Sequence, residues 1–508
     1  MRALEILLLL ADLLAFCVLS DLWMRARFWS RLAPAIALAI AVAQVLVEGP
    51  RWQMTPAYAM TAFFFIVWLL RNHVVAGGAA RRTQPNPIVA AVALGLGVLG
   101  LAIAVALPII VPVFGFAHPT GPYEIGTLTY HWVDASRSEI FAAGPKERRQ
   151  LMAQIWYPAK TNQSAPRAAY MAQADAITGA IARIHGKLAF LFGHFKYINT
   201  NAMPNIPVAV DKARYPVLLF LEGATGFRQM NTFQVEHLVS HGYIVVAIDQ
   251  PGAAAAVVFP DGHQAAGLTL AQFRRTVRQS YMPDGTDLSR KSTLLPNGRA
   301  RDVKSIIPYL AKDATFALDQ LASLNEADPN GILTGKLDLH TIGTFGVSLG
   351  GIVVGEACRV EPRLRACLVM DAPMSTDVVR AGLQQPSMWI TRDVASMQLE
   401  RERVGGWPAA EIGAHQTTMR AVYEGLMGAG YFVRVPGMFH SNFTDIPNWT
   451  PLAPQVGLSG PINKRRAHDI VNAYSLAFFD RHLLGRPAKL LDGPAKRYPE
   501  VLFESRRP

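Results

Sequence analysis

The chain has 508 residues, 51% of them hydrophobic and 17% charged, and is about three times as long as the roughly 150-residue prior for one domain. Ordinary soluble domains carry about 25% charged residues, so the composition leans toward a membrane protein and excludes a disordered chain. Three cysteines exclude a disulfide scaffold and a cysteine-based zinc framework. The net charge of +12 comes without a dense Lys/Arg run interleaved with aromatics, which argues against a nucleic-acid partner and for a basic surface facing anionic lipid.

Four apolar runs fill residues 1–116. Leu4–Ser20 is interrupted by Glu5 and Asp12, and Leu32–Val47 carries one polar residue, Gln44. Met54–Leu70 has Pro56 near its start and stops at Arg71. Ile88–Leu107 is uncharged and bounded by Pro87 and Pro108. About 20 apolar residues cross a bilayer, so these runs predict an all-α transmembrane domain of about four spans. Trp23, Trp29, Trp52 and Trp68 near the predicted ends fit an aromatic belt. A cleaved signal peptide fits poorly, because Arg2 is followed by Glu5 and Asp12 lies inside the apolar run. Arg25, Arg27 and Arg31 follow the first run, and Arg71, Arg81 and Arg82 follow the third. By the positive-inside rule these loops are cytoplasmic, which puts everything after Phe116 outside: the periplasm, if the membrane is a bacterial inner membrane. Anchoring is the expected role of the spans, since only Glu5 and Asp12 place charge within them.

From residue 117 to 508 the texture changes. Short apolar runs, Met152–Tyr157, Val217–Leu221, Ile244–Ile248, Thr341–Phe345, Cys367–Met370, Ser387–Thr391 and Tyr431–Val435, alternate with helical stretches such as Asp302–Leu324 and Arg466–Leu484. Continuous apolar strands are those buried on both faces, so the pattern predicts an α/β domain with a doubly wound, mostly parallel sheet. Residues 252–297 resist assignment and are a candidate lid or insertion.

The strongest chemical signal is Gly346-Val347-Ser348-Leu349-Gly350, placed between an apolar strand and a helix-compatible run. This is the nucleophile-elbow context of an α/β-hydrolase fold: small neighbours permit a strained turn that lifts the Ser348 hydroxyl above the sheet. An activated serine needs a base oriented by an acid, in the chain order Ser, acid, His. His440 follows the last predicted strand in a Gly-containing loop and is the expected base. His468 and His482 read as surface histidines of the closing helix, and His415 lies in an ambiguous stretch. Asp371 and Asp393 each end a strand after the elbow, and pattern alone does not separate them. The loop Glu222-Gly223-Ala224-Thr225-Gly226 offers small residues for an oxyanion hole, with the Ala224 and Leu349 N–H groups as donors.

These pieces together resemble the platelet-activating factor acetylhydrolase family, lipoprotein-associated type. The resemblance runs from about Gly121 to Leu484 through GPYEIGTLTYHW, QIWYPA, LEGATGFR, SHGYIVVAID, FALDQL, GVSLGG, MDAPM and GMFHSNFTD; YSLAFFDRHLLG is also similar to dienelactone-hydrolase-type relatives. It implies Asp371 as the acid, His440 as the base and Ala224 and Leu349 as oxyanion donors. Two departures stand out. The family usually has His-Gly where this chain has Glu222-Gly223, and the secreted animal enzymes lack a multi-span region.

The expected function is a membrane-anchored serine hydrolase of carboxylic esters, needing no metal or cofactor. The resemblance and the adjacent bilayer suggest short or oxidised sn-2 acyl groups of phospholipids as substrate. The alternatives are a general carboxylesterase on small acyl esters or polyesters, and a hydrolase-like membrane protein that binds a ligand without turnover. Cys17 falls in a predicted span. Cys358 and Cys367 either pair, as an oxidising compartment would allow, or stay buried thiols.

Overall fold

The computed structural model describes residues 1–20, 32–76, 86–141, 147–160, 165–269, 271–272, 306–405 and 408–506. They form two compact units: residues 1–114 with 193–197 and 449–452, and residues 115–192, 198–448 and 453–508.

The first unit holds helices α1 (Ala3–Leu19), α2 (Ala33–Val47), α3 (Thr55–Ala76) and α4 (Pro87–Ile110). Two helical stretches, Trp52–Asn72 and Pro87–Ile110, are long and apolar enough to cross a membrane. The other two helices of the expected four spans, α1 and α2, are shorter, with 17 and 15 residues. Pro34 at the start of α2 and Glu48-Gly49 at its end confine it; Gly49 takes a left-handed φ of 78°. Helix α4 begins where Asn86 accepts the Ile88 N–H. It runs past the expected stop at Pro108 to Ile110, with Pro108 inside the helix at the cost of one i→i−4 hydrogen bond. Several polar groups of this unit face inward, and many of its apolar side chains face outward. Glu5, Asp12, Gln44 and Thr61 are buried, while Ile88, Val92, Leu96 and Leu99 are exposed. The two acids that interrupt the first apolar run are both partnered. Arg51 forks onto Glu5 at 2.6 and 2.8 Å, and the Thr61 hydroxyl donates to Asp12 at 2.8 Å. Of the residues used to orient the chain, Arg25, Arg27, Arg31, Arg81 and Arg82 lie outside the described residues, as do Trp23 and Trp29.

The second unit is a mixed α/β structure. Its strands are β1 (Glu124–Ser138), β2 (Arg148–Ala159), β3 (Met203–Pro204), β4 (Tyr215–Leu221), β5 (Ile244–Asp249), β6 (Ala256–Val258), β7 (Gln264–Ala266), β8 (Leu337–Val347), β9 (Leu364–Met370), β10 (Ser387–Thr391), β11 (Gly430–Arg434) and β12 (Leu502–Arg506). Ten of them make one sheet, in the order β12-β11-β10-β9-β8-β4-β5-β2-β1-β3. The run from β11 to β5 is parallel throughout; β12 and β2 join it antiparallel, and β1 pairs antiparallel with β2. The helices are α5 (Ala174–Ile184), α6 (Thr232–Ser240), α7 (Ile306–Glu326), α8 (Leu349–Val360), α9 (Thr376–Ala381), α10 (Val394–Val404), α11 (Ala409–Glu424) and α12 (Lys464–Leu484).

Both sheet faces are covered. Val217, Leu219 and Leu221 of β4 pack into one core with Leu318 and Leu321 of α7 and Ile352 and Val353 of α8. Their neighbours Leu218 and Phe220 point the other way, into a second core with Leu238 of α6 and Ile470, Tyr474 and Phe478 of α12. Successive strand residues face opposite sides, so a strand buried twice must be apolar at every position. That is why these strands were legible. Strand β1 was passed over because it alternates: Leu128, Tyr130 and Trp132 are buried, while Thr129, His131 and Val133 are exposed. The short edge strand β12 was missed as well. Within the candidate insertion, β6 and β7 pair as a hairpin, and residues 273–297 lie outside the described residues. Cys358 and Cys367 are joined in a disulfide that ties the end of α8 to β9.

Candidate active site

Backbone register places the site. Val347, Met370 and Ile390 are paired across β8, β9 and β10. One step further on, the ladder continues as Ser348 N–H to Met370 O, 3.0 Å, Asp371 N–H to Ile390 O, 2.9 Å, and Val435 N–H to Thr391 O, 2.9 Å. Ser348 and Asp371 therefore stand just past the carboxyl ends of adjacent parallel strands, and β11 leads into the loop that carries His440.

Ser348 sits between β8 and α8 with φ 58° and ψ −122°. The left-handed region is costly for a residue with a Cβ and persists where surrounding structure enforces it. Among the described residues only four non-glycines have positive φ: Asn205, Thr225, Ser348 and Asp371. Three of these belong to this site. The flanking glycines show the enforcement. A Cβ on Gly350 would lie 2.0 Å from Leu221 O, and one on Gly346 would lie 2.6 Å from the backbone of Gly350. The start of α8 is thus pressed against the end of β4, which only bare backbone permits.

The loop after β4 abuts the elbow from the other side. A Cβ on Gly223 would lie 3.3 Å from Ser348 Cβ. Thr225 N–H donates to Ala253 O, Gly226 N–H to Gly223 O and Ala255 N–H to Gly226 O, which hold the loop closed. Among the described residues neither the Ala224 nor the Leu349 N–H donates a hydrogen bond, and neither does the Ser348 hydroxyl. Glu222 is fully buried below this loop, and its Oε1 accepts the Gln250 N–H at 2.9 Å. Burial first, then the nearby Asp249 carboxylate, push the Glu222 carboxyl well above its ordinary range.

His440 opens a short 3-10 turn, His440–Phe443, after β11. Asn442 builds that turn: its Oδ1 accepts the N–H groups of Phe439 and Gly460, both at 2.8 Å. Further along, the fully buried Asp445 accepts the N–H groups of Thr232 and Phe233 at 2.8 and 3.1 Å. His440 Nδ1 lies 2.5 Å from Asp371 Oδ2, and its side chain is 38% exposed. Asp371 Oδ1 accepts the Thr391 hydroxyl at 2.9 Å. Arg392 Nε lies 2.8 Å from Asp371 Oδ2, with both side chains buried. Burial alone would raise the Asp371 carboxyl. The Arg392 cation and the His440 hydrogen bond outweigh it and hold the group far below the ordinary carboxylate range.

The alternative acid, Asp393, is elsewhere engaged. Its carboxylate caps α10 by accepting the Ser396 N–H at 3.1 Å. Nor are His468 and His482 surface residues. Each is half-buried, one against Thr444 O at 3.0 Å and the other against the Tyr431 hydroxyl at 3.0 Å. His415 lies near Arg392, Asp371 and His440, and burial followed by the Arg392 charge pushes it down to about 3. Sequence reasoning did not single out Arg392 or Glu400, and no motif marks them. Among the described residues no cluster of three or more His, Cys, Asp or Glu is arranged to hold a metal.

The chain is similar to known proteins. The model of the family "Platelet-activating factor acetylhydrolase, isoform II" matches residues 114–488. The guinea pig (Cavia porcellus) platelet-activating factor acetylhydrolase is 24% identical over 398 residues, covering 72% of this chain and 79% of that protein. The dog (Canis lupus familiaris) enzyme of the same name is 25% identical, over 58% of this chain and 62% of its own length. Among solved structures, a ferulic acid esterase from Streptomyces cinnamoneus superposes with a TM-score of 0.57 at 26% identity, over 77% of this chain and 99% of that one. The class of protein is thus a carboxylic ester hydrolase on a mixed α/β fold. Within that class, the chain belongs to the platelet-activating factor acetylhydrolase, isoform II, family.

Proposed function

We propose that the chain is a membrane-anchored serine hydrolase of the α/β-hydrolase fold, with Ser348, His440 and Asp371 as its triad. The observation that carries this reading is the Asp371–His440 pair beside the strained Ser348 elbow. Ser348 Oγ attacks the acyl carbonyl, and His440 takes its proton and then delivers it to the leaving alkoxide. Asp371 fixes the imidazole through Nδ1 and stabilises its cation. The unengaged N–H groups of Ala224 and Leu349 receive the developing oxyanion. Water enters by the same route and releases the acid. The Ser348–His440 hydrogen bond forms as substrate fills the site, since catalytic hydrogen bonds tighten in the complex.

The substrate in this reading is a short or oxidised sn-2 acyl ester of a phospholipid, which the family supports. Membrane attachment is supported by the two long apolar helices and by the inward-facing polar groups of the first unit. An extracytoplasmic catalytic unit is supported by the Cys358–Cys367 disulfide, because reducing compartments keep thiols free. The ferulic acid esterase likeness favours a second reading, a carboxylesterase of broader small-ester range.

The test is hydrolysis by the detergent-solubilised protein of p-nitrophenyl acetate, p-nitrophenyl octanoate and a short-sn-2 phospholipid, beside Ser348→Ala. Loss of all activity in the variant supports the triad, and the ranking of substrates chooses between lipid and general ester. A Ser348→Ala protein with undiminished turnover would overturn the assignment.

A further inference from the structure

The acid side of the site holds more charge than the proposed chemistry uses. Arg392 follows β10, and its guanidinium is buried between two carboxylates. Nε lies 2.8 Å from Asp371 Oδ2, and Nη1 is paired with Glu400 Oε2. Glu400, near the end of α10, is nine-tenths buried. Its carboxylate also accepts the main-chain N–H of His440, at 3.2 Å to Oε1 and 3.1 Å to Oε2. The chain of contacts therefore closes on itself: His440 ring, Asp371, Arg392, Glu400, His440 backbone. The residue that presents the imidazole is held at both its side chain and its peptide by one buried ring of ions.

We propose that Glu400 and Arg392 are positioning residues for His440, and that Glu400 sets the electrostatic balance of the site. The inference rests on the triad reading given above. An aspartate beside a buried guanidinium is a poorer stabiliser of an imidazolium than a lone aspartate, because the two charges offset each other at short range. Glu400 restores the deficit. Asp371, Arg392 and Glu400 together carry one net negative charge, the same as an isolated triad aspartate. The ring thus locks the geometry of the base while keeping one net negative charge beside it. Among the described residues His415 of α11 also faces this cluster, and burial followed by the Arg392 charge pushes it down to about 3, which leaves it neutral at working pH. Asp393 faces its own helix end through Ser396.

The test follows from counting charges. The pH dependence of kcat/KM is measured on the full chain for wild type, Glu400→Gln, Arg392→Gln and the double variant. Glu400→Gln keeps the shape and leaves the cluster neutral, so His440 becomes less basic. The acid limb should move to lower pH by about half a unit or more, which is about a threefold gain in the ratio of acid-side to plateau activity. Arg392→Gln leaves two negative charges and should move the limb upward. The double variant returns to one negative charge, and its limb should return toward that of wild type. A purely structural role would lower thermal stability and leave all four limbs together. Coincident limbs in Glu400→Gln and wild type would overturn the proposal, and so would a double variant displaced further than Glu400→Gln alone. If Arg392→Gln fails to fold, Glu400→Gln and the double variant still decide the matter. Labelling of wild type by a fluorophosphonate, lost in Ser348→Ala, separates failure of this inference from failure of the triad reading. Without that labelling the triad reading falls; with it, unmoved limbs refute the ionic ring alone.

Discussion

Two buried carboxyls flank Ser348, and they have opposite fates. Glu222 stands one residue past β4, and Asp371 stands one residue past β9; both are buried to 1% exposure or less. Burial raises a carboxyl in either place. On the β9 side, Arg392 and His440 reverse the effect, and Asp371 is held ionised. On the β4 side Arg228 is paired with Asp249, and Asp249 adds its own negative charge to the surroundings of Glu222. Glu222 accepts the Gln250 N–H, and its carboxyl is pushed well above the ordinary range. Depth in the fold does not decide the charge of a group. The partner the fold assigns to it does, and here the fold gives Asp371 a cation and His440 while it sets Glu222 beside another carboxylate.

That comparison can be broken at several points. The largest expected effect is on the serine between the two shoulders: Ser348→Ala should lower kcat by about 10⁴-fold or more in steady-state ester hydrolysis. Next come the strand-end acids. Asp371→Asn should cost about 10³- to 10⁴-fold in kcat, because an amide cannot hold the imidazole in the working tautomer. Asp393→Asn should stay within about threefold, because asparagine caps a helix as well as aspartate does. Comparable losses in the two variants would refute the division of labour seen here.

A smaller effect, on stability instead of chemistry, is expected at the junction of β4 and α8. Gly350→Ala forces a Cβ to within 2.0 Å of Leu221 O, and should cost about 3 kcal/mol in denaturant unfolding. An unchanged midpoint would show that the elbow is looser than its contacts imply.

The subtlest expected effect is at Glu222. A carboxyl that stays protonated when folded but ionises near pH 4.3 when unfolded makes folding less favourable as pH rises past that value. Asp371 acts in the opposite sense: its stabilisation is complete above the unfolded-state value and is lost as pH falls toward the depressed folded one. Glu222→Gln should therefore gain thermal stability over wild type at pH 8 and lose that advantage near pH 4, with activity at pH 7 within about twofold. A pH-independent difference between the two proteins would mean that Glu222 is ionised in the folded state.

Much of the site was legible before any coordinates. The G-x-S-x-G run was readable because close approach of α8 to β4 admits no side chain, and that demand shows in the sequence as glycine. His440 was expected as the base because it follows the last parallel strand in a loop, and the structure sets its ring beside Asp371. The choice between Asp371 and Asp393 was not open to pattern, since both are aspartates just past a strand. It turned on which one the ladder sets beside the His440 loop and which one begins a helix. The bounds of α1 and α2 were legible to within a residue or so, because the apolar runs Leu4–Ser20 and Leu32–Val47 end where the helices do.

By itself the sequence determined the layered α/β plan, the apolar helical start and the elbow, because each is written in local spacing: runs buried on both faces, twenty uncharged residues, glycines two positions either side of a serine. Only the tertiary structure decided the pairing of Cys358 with Cys367, the burial of Glu222 beside Asp249, and the ring joining Asp371, Arg392, Glu400 and His440. Those features depend on charges and thiols far apart in the chain meeting at strand ends, and the strength of an ionic contact is set by distance and burial, neither of which is a property of a residue's neighbours in sequence.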